Sequence, residues 1–207
     1  MSSQFGTVVA SGDRSATVTR ATRETTITVT LRLDGSGETK VDTGVGFFDH
    51  LLSAMAHHAL FDLEVSASGD LLVDEHHTVE DVALVFGAAL AEALGDRAGI
   101  VRFGDASVPM DESLATAVVD VGGRPYAVVD VPFRGKRAGK LPLQLIDHVF
   151  ESVARTGGVT LNVKGRGRND HHLAEAAFKA FGRALREAVE IDPRRAGAPA
   201  STKGVLE

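Results

Sequence analysis

The sequence predicts an α/β fold in which two similar halves, with strands and helices in the same order, form one pseudo-symmetric unit. The first reason is a motif, His-His-x-x-Glu, that occurs at His76–Glu80 and again at His171–Glu175. The second is that each copy follows another histidine, His50 or His148, which lies in a matching apolar frame after an aspartate. A solenoid needs more copies to bury a continuous core, so we expect a single duplicated domain.

The elements of the first half begin with Thr26 to Leu33, where apolar and polar residues alternate with the period of a half-buried strand. We expect a turn, a helix, a strand and a long amphipathic helix to follow, at residues 34–37, 47–58, 61–67 and 79–94. Gly95 then provides a helix C-terminal signal.

The second half follows the same order. Leu114–Val121 and Pro125–Val131 predict a hairpin around Gly122-Gly123, and a helix, a strand and a closing helix follow at residues 143–154, 159–163 and 173–189. The two long helices align, residues 82–93 with 177–188. The predicted domain spans residues 1–207, with halves of about 10–97 and 98–192, a basic surface loop at 134–140 and a tail at 193–207. The composition of that tail alone predicts disorder.

Composition excludes several classes of protein. The chain has 207 residues, a net charge of −6 and no cysteine, which argues against a nucleic-acid partner and excludes disulfides, thiolate ligands and a cysteine nucleophile. No apolar run is long enough to span a bilayer. The start, Met1 to Gly6, lacks the features of a secretory signal, so we expect no membrane partner and a cytoplasmic location.

The duplicated motifs predict metal binding, although a single histidine beside an apolar helix is usually structural. Residues four apart share a helix face, so His76 faces the same way as Glu80, and His171 as Glu175. His77 and His172 point elsewhere, and one interpretation is that each adjacent pair serves two different metal ions. Imidazole and carboxylate ligands without sulfur suit Mn, Fe, Co, Ni or Zn.

Other polar residues are candidates for supporting roles. Carboxylates that could orient the ligands are Asp49, Asp74, Asp147 and Asp170. Lys179 lies one turn beyond Glu175, where the other half has Leu84, and suggests an anion held at a distance from the metal. Arg97, Arg102, Arg124 and the terminal Ser201–Gly204 could join it, although a solvated surface residue is the favoured explanation for any one of them taken alone. His57 and His58 have no counterpart, and one of them is as well explained by packing as by a substrate contact.

Several longer segments carry a family resemblance. They are Arg23–Thr25, Thr43–His50, Glu75–Asp81, Arg102–Gly104, Pro109–Glu112, Gly123–Pro125, Asn169–Glu175 and Ser201–Gly204. In these segments the chain resembles imidazoleglycerol-phosphate dehydratase of histidine biosynthesis. The resemblance implies a two-layer α+β sandwich, a tandem duplication of a mixed sheet packed on helices, similar to domain 2 of ribosomal protein S5. It also implies a small-molecule phosphate substrate, two Mn²⁺ per active site and a homo-oligomer of 24 subunits with sites formed between subunits.

The resemblance also implies roles for individual residues. The metal ligands would be His50, His76, His77, Glu80, His148, His171, His172 and Glu175. The phosphate contacts would be Arg102, Arg124, Lys179, Ser201 and Lys203, so the tail would fold over the phosphate. Glu24 would transfer protons, and His58 and Asp111 are further substrate-site candidates.

The sequence departs from the family pattern at two places, and two alternative functions remain. Ala54 stands where many relatives have Gln, and residues 134–142 lack an acidic stretch that is common in the family. A binuclear metallohydrolase could use the same ligands, although such sites usually include a bridging carboxylate. A metal-storage shell would explain the histidines but would not explain Lys179 or Ser201–Gly204.

Overall fold

The computed structural model describes residues 5, 6, 8–11, 13–204 and 206. The prediction that no secretory signal is present rests partly on residues 1–4, which lie outside the described residues, as do residues 205 and 207 of the tail. No helix in the described part of the chain is both long and apolar enough to cross a membrane.

The first half has five strands and two helices: β1 Val8–Ser11, β2 Ser15–Ala21, β3 Thr25–Arg32, β4 Thr39–Asp42, α1 Gly46–Ala59, β5 Asp62–Gly69 and α2 His76–Leu94. The strands form one sheet in the order β1-β2-β3-β5-β4. β4 and β5 are parallel and are connected through α1, whereas the other pairs are antiparallel.

The second half repeats this plan with β6 Phe103–Met110, β7 Ser113–Asp120, β8 Tyr126–Asp130, α3 Gln144–Gly157, β11 Thr160–Arg166 and α4 Asp170–Val189. A short pair, β9 Arg137–Ala138 and β10 Leu141–Pro142, lies outside the main sheet. The sheet order β6-β7-β11-β8 corresponds to β2-β3-β5-β4 of the first half. The predicted duplicated α/β fold, with a mixed sheet packed on helices in each half, is therefore confirmed.

The predicted hairpin around Gly122-Gly123 is wrong. β8 does not pair with β7, because β11 lies between them, antiparallel to β7 and parallel to β8. The connection from β8 to β11 runs through α3, as a parallel pair requires a crossover. Six of the described strands were not predicted: β1, β2, β4, β6, β9 and β10. Most positions of β2 and β4 are polar or charged, and Gly104 and Pro109 interrupt the pattern of β6.

The helices lie between the two sheets and connect the halves. The inner faces of the sheets are apolar, with Ile27, Val29 and Leu31 of β3 completely buried. α2 packs on β2 and β3, and α4 packs on β6 and β7, while α2 also contacts α3 and α1 contacts α4. Both of these helix pairs join one half to the other. This crossed packing decides which side chains meet.

The predicted surface loop and the tail both pack against structured elements. The loop at 134–140 contains β9, and Asp170 accepts hydrogen bonds from Arg134 N and Gly135 N at 3.0 and 2.6 Å. The tail forms a short 3₁₀ helix, Pro193–Arg195, and Ala198 O accepts a hydrogen bond from Gly99 N at 3.2 Å. The disorder that composition predicts is therefore not found in the described part of the tail.

Candidate metal centre

One cluster of ligand-type side chains joins α1 to α4. Nε2 of His50 lies 3.0 Å from Oε1 of Glu175, and Nε2 of His171 lies 2.8 Å from the same oxygen. The three ligand atoms all lie within 4.8 Å of one another. We call this group the Glu175 triad.

A second cluster with the same composition joins α2 to α3. Nε2 of His76 lies 3.6 Å from Oε2 of Glu80, and Nε2 of His148 lies 3.3 Å from Oε1. These ligand atoms also fall within 4.8 Å of one another. We call this group the Glu80 triad.

Each triad takes its histidines from both halves. The sequence repeat places His50 with the first His-His-x-x-Glu motif, but the structure places it with the second motif, and His148 with the first. Two helical glycines at equivalent positions allow this close crossing. A Cβ at Gly182 would lie 2.3 Å from the Met55 carbonyl oxygen, and one at Gly87 would lie 2.7 Å from the Val153 carbonyl oxygen.

In both motifs the residue two positions before the first histidine accepts a hydrogen bond from the backbone of that histidine. Oδ1 of Asp74 accepts from His76 N at 2.8 Å, and Oδ1 of Asn169, the N-cap of α4, accepts from His171 N at 3.0 Å. Such bonds satisfy free N–H groups of a first helical turn. They fix the start of each helix, and with it the direction of the paired histidines.

His77 and His172 belong to neither triad. Nδ1 of His77 lies 3.0 Å from Oδ2 of Asp70 and 3.7 Å from Oε2 of Glu24. The hydrogen bond with Asp70 raises the pKa of His77.

His172 has an equivalent environment. Its Nδ1 lies 3.0 Å from Oε2 of Glu112 and 3.7 Å from Oδ2 of Asp111. The hydrogen bond with His172, followed by those from Arg168 N and Asn169 N, holds the pKa of Glu112 far below its usual range. A carboxylate therefore faces the Nδ1 atom of both His77 and His172, which we call the outer histidines.

The carboxylates of the two triads lie in different environments. Burial raises the pKa of Glu175, but hydrogen bonds from Lys179 and His50 outweigh it and lower the pKa to about 2. Nζ of Lys179 is 2.6 Å from Oε2 of Glu175. Glu80 is more exposed, and its nearest cation is the guanidinium of Arg155 at 3.6 Å.

The donor atoms of both triads fit a divalent transition metal. They are imidazole nitrogens and carboxylate oxygens, the ligands that Mn, Fe, Co, Ni and Zn accept. Nε2 of His148 is buried and has no hydrogen-bond partner among the described residues, although Glu80 lies beside it. A metal ion between these two groups would satisfy that nitrogen.

A separate basic cavity of about 360 Å³ brings together four of the predicted phosphate contacts, Arg102, Arg124, Ser201 and Lys203. Arg102 donates from Nε and Nη2 to Asp120 at 2.7 and 2.9 Å, and from Nη1 to Ala200 O at 2.8 Å. These bonds fix the guanidinium and attach the tail to the cavity. The fifth predicted contact, Lys179, lies at the Glu175 triad instead.

The remaining predicted residues lie near the triads or the outer histidines. Glu24 is in the turn between β2 and β3, and Asp111 is in the turn between β6 and β7. His58 is in the last turn of α1, where burial and then the charge of Lys179 lower its pKa. Of the carboxylates expected to support the ligands, Asp49 bonds to Thr43 N at 2.9 Å and Asp170 bonds to loop 134–140.

Three functional candidates were not predicted from the sequence: Asp70, Glu112 and Asp120. Glu112 lies in a segment that carries the family resemblance, so its carboxylate was visible in the sequence but had no assigned role. Asp120 lies at the end of a predicted strand, within reach of two arginines. Asp70 follows β5 in a segment without a motif, so no sequence signal identified it.

The fold and the two triads define a duplicated α/β protein with a pair of candidate metal centres and a separate basic cavity. The sequence profile of imidazoleglycerol-phosphate dehydratase, IGPD, matches residues 43–185. The chain is 55% identical over 194 residues to imidazoleglycerol-phosphate dehydratase of Acidiphilium cryptum, covering 93% of this chain and 99% of that protein. It is 56% identical over 194 residues to that of Chloroflexus aurantiacus, covering 93% and 95%.

Solved structures agree with these relatives. IGPD from Pyrococcus furiosus has a TM-score of 0.78 and 36% identity, with 91% of this chain and 99% of that chain covered. The Staphylococcus aureus enzyme has a TM-score of 0.77 and 33% identity, with 85% and 98% covered. The chain belongs to the imidazoleglycerol-phosphate dehydratase family, and is thus a hydro-lyase of histidine biosynthesis.

Proposed function

We propose that the chain removes water from D-erythro-imidazoleglycerol phosphate to give imidazole acetol phosphate, with two Mn²⁺ ions per active site. The observation that carries the proposal is the pair of matched triads, each with two imidazoles and one carboxylate. When bound, the ions would act as Lewis acids that hold the substrate's imidazole ring and favour loss of its proton.

The outer histidines support an active site shared between subunits. Neither His77 nor His172 faces a triad, and each is partly exposed, so each is free to complete a triad of another copy. The metal ligands of the proposal are then the two triads plus His77 and His172. A 24-subunit homo-oligomer in the cytoplasm is part of the same proposal. Its mass in solution, measured by light scattering, tests the subunit count.

The chain's own residues would move the protons and hold the phosphate. Glu24 is exposed and close to His77, and the turn that carries it is fixed because Glu24 N donates to Thr22 Oγ1 at 3.1 Å and Thr25 Oγ1 donates to Asp81. A carboxylate held in this way suits general acid–base catalysis. Arg102, Arg124, Ser201 and Lys203 would bind the phosphate and hold the reacting carbons at a set distance. Lys179 at the Glu175 triad, His58 in α1 and Asp111 beside His172 would face the substrate.

The decisive experiment adds imidazoleglycerol phosphate to metal-stripped protein, with and without Mn²⁺, and follows the enolisable ketone. We expect ketone formation that requires Mn²⁺ and leaves the phosphate on the product. Release of inorganic phosphate would instead indicate a hydrolase. Two bound Mn²⁺ ions without turnover would indicate metal storage.

The role of Glu24 has its own test. Glu24→Gln keeps the size of the side chain but removes its base, so kcat should fall by about 100-fold or more, since general acid–base catalysis contributes about 10²–10⁴. Mn²⁺ content should stay at two per chain. Unchanged kcat with both metals bound would exclude Glu24 as the acid–base residue.

A further inference from the structure

The carboxylates that face the outer histidines determine which ring nitrogen is available to a metal. An ionised carboxylate only accepts hydrogen bonds, so Nδ1 of His77 and of His172 must carry the proton that Asp70 or Glu112 accepts. The lone pair of each neutral ring is then on Nε2. Partners of this kind orient metal-binding histidines and raise their basicity.

Glu112 is held by hydrogen bonds on both oxygens. Oε1 accepts from Arg168 N at 3.0 Å, from Asn169 N at 2.8 Å and from Ser113 Oγ at 3.0 Å, which leaves Oε2 for Nδ1 of His172. Residues 168 and 169 directly precede α4, and Asn169 caps that helix. Glu112 therefore positions both the ring of His172 and the start of the helix that carries it.

Asp70 is held less completely. Its Oδ2 accepts from Nδ1 of His77 at 3.0 Å, but its Oδ1 is buried and accepts no hydrogen bond from any described residue. Its two oxygens can therefore exchange places without the loss of another contact, and those of Glu112 cannot. This difference separates the two residues experimentally.

We infer that Glu112 and Asp70 are positioning residues that fix the ring protons of His172 and His77 on Nδ1 and so present Nε2 of each to a metal ion. The inference rests on the proposed function, because it assigns these histidines to metal ions. It adds two residues to the candidate site, and neither would contact the substrate or the metal directly.

Amide substitutions should affect the two positions differently. In Glu112→Gln, the side-chain carbonyl must face Arg168 N–H and Asn169 N–H, so the NH₂ group must face Nδ1 of His172. That nitrogen then has to accept, and the ring proton moves to Nε2, where it blocks metal binding. In Asp70→Asn, the amide can turn its carbonyl to His77, so the ring keeps its proton on Nδ1.

The test is Mn²⁺ titration of metal-stripped protein by calorimetry, with folding checked by circular dichroism. We expect Glu112→Gln to lower Mn²⁺ affinity by about 10–100-fold, the usual effect of losing such a partner, and Asp70→Asn to stay within about threefold of wild type. Glu112→Asp, which only accepts hydrogen bonds, should restore part of the affinity. Glu187→Gln is the matched control, since Glu187 accepts Asp105 N at 3.0 Å but contacts no histidine.

Three outcomes would contradict the inference. Wild-type affinity in folded Glu112→Gln overturns it for Glu112. Wild-type affinity in Asp70→Ala, which removes the acceptor that Asp70→Asn keeps, overturns it for Asp70. The two Asp70 variants test the assignment of the ring proton at His77 even if Glu112→Gln does not fold. Wild-type protein that binds no Mn²⁺ overturns the proposed function together with the inference, whereas failure of the variants alone leaves the proposed function intact.

Discussion

The Glu175 triad and the Glu80 triad contain the same ligand types but differ in how their carboxylates are held. The Glu175 side chain is 6% exposed and pairs with Lys179, which is 20% exposed, whereas Glu80 is 27% exposed and faces Arg155, which is 60% exposed. The duplication thus preserved the ligands and changed their surroundings. We expect the buried, paired carboxylate to give the more rigid site, and the exposed one to give the site with the easier exchange of ligands.

Removing either carboxylate is expected to have the largest effect. Glu175→Gln and Glu80→Gln should each reduce bound Mn²⁺ from two to one per chain and lower kcat by about 10³-fold or more, because a Lewis acid contributes several kcal/mol and about 1.4 kcal/mol is tenfold. Metal analysis and ketone formation measure both effects. Glu175→Gln should also lower the melting temperature more, since it leaves Lys179 beside a buried neutral amide. Full metal content in either variant would exclude that carboxylate as a ligand.

The crossed helix pairs predict a second difference between the halves. Gly182→Ala would place a methyl group 2.3 Å from the backbone oxygen of Met55, whereas the nearest backbone atom at Gly87, the Val153 oxygen, would be 2.7 Å away, and the closer contact there, at 2.2 Å, is with the side-chain Oγ1 of Thr156. We expect Gly182→Ala to lower the free energy of unfolding by about 3 kcal/mol and Gly87→Ala by about 1 kcal/mol. Urea unfolding of metal-free protein measures the difference.

Gly46→Ala is the control for the helix glycines, because a Cβ at Gly46 would have no neighbour within 4 Å. It should leave the free energy of unfolding nearly unchanged. An equal loss at Gly182 and Gly46 would show that close approach of α1 and α4 does not limit the substitution.

The positions of the helices were predicted because the signals for them lie within short segments of the sequence. The repeated His-His-x-x-Glu motif predicted both long helices, and the structure begins them at His76 and Asp170. Which helices meet across the halves is a nonlocal property, so the repeat alone left open which motif His50 would meet. The Gly122-Gly123 hairpin failed for the same reason: a glycine pair signals a turn, but pairing of β8 with β11 depends on a crossover through α3. Asp70 was missed because its role exists only once β5 ends beside α2.

Lys179 and Arg155 provide a third comparison between the triads. Lys179→Met should raise Mn²⁺ affinity by about tenfold, because Nζ lies 2.6 Å from Glu175 in a nearly buried pair, where its charge repels the ion and its hydrogen bond lowers the basicity of the ligand. Arg155→Met should change it by less than about twofold, since an exposed ion pair contributes little. Calorimetric titration measures both affinities. Equal changes would show that the two carboxylates depend on their cations to the same degree.

The acid-unfolding midpoint of the metal-free protein should show the smallest difference between the two triads. The pKa of Glu175 is about 2 in the folded chain, below its ordinary value of 4.5, so ionised Glu175 stabilises the fold above about pH 4.5, and this contribution is lost as the pH falls towards 2. Lys179→Met removes the main hydrogen bond that lowers this pKa and should move the acid-unfolding midpoint to higher pH by a few tenths of a unit. Arg155→Met should leave the midpoint unchanged, because Arg155 does not contact Glu175. Circular dichroism during acid titration measures the midpoints. If Arg155→Met shifts the midpoint as much as Lys179→Met, the loss of stability in acid does not come from the Glu175 triad.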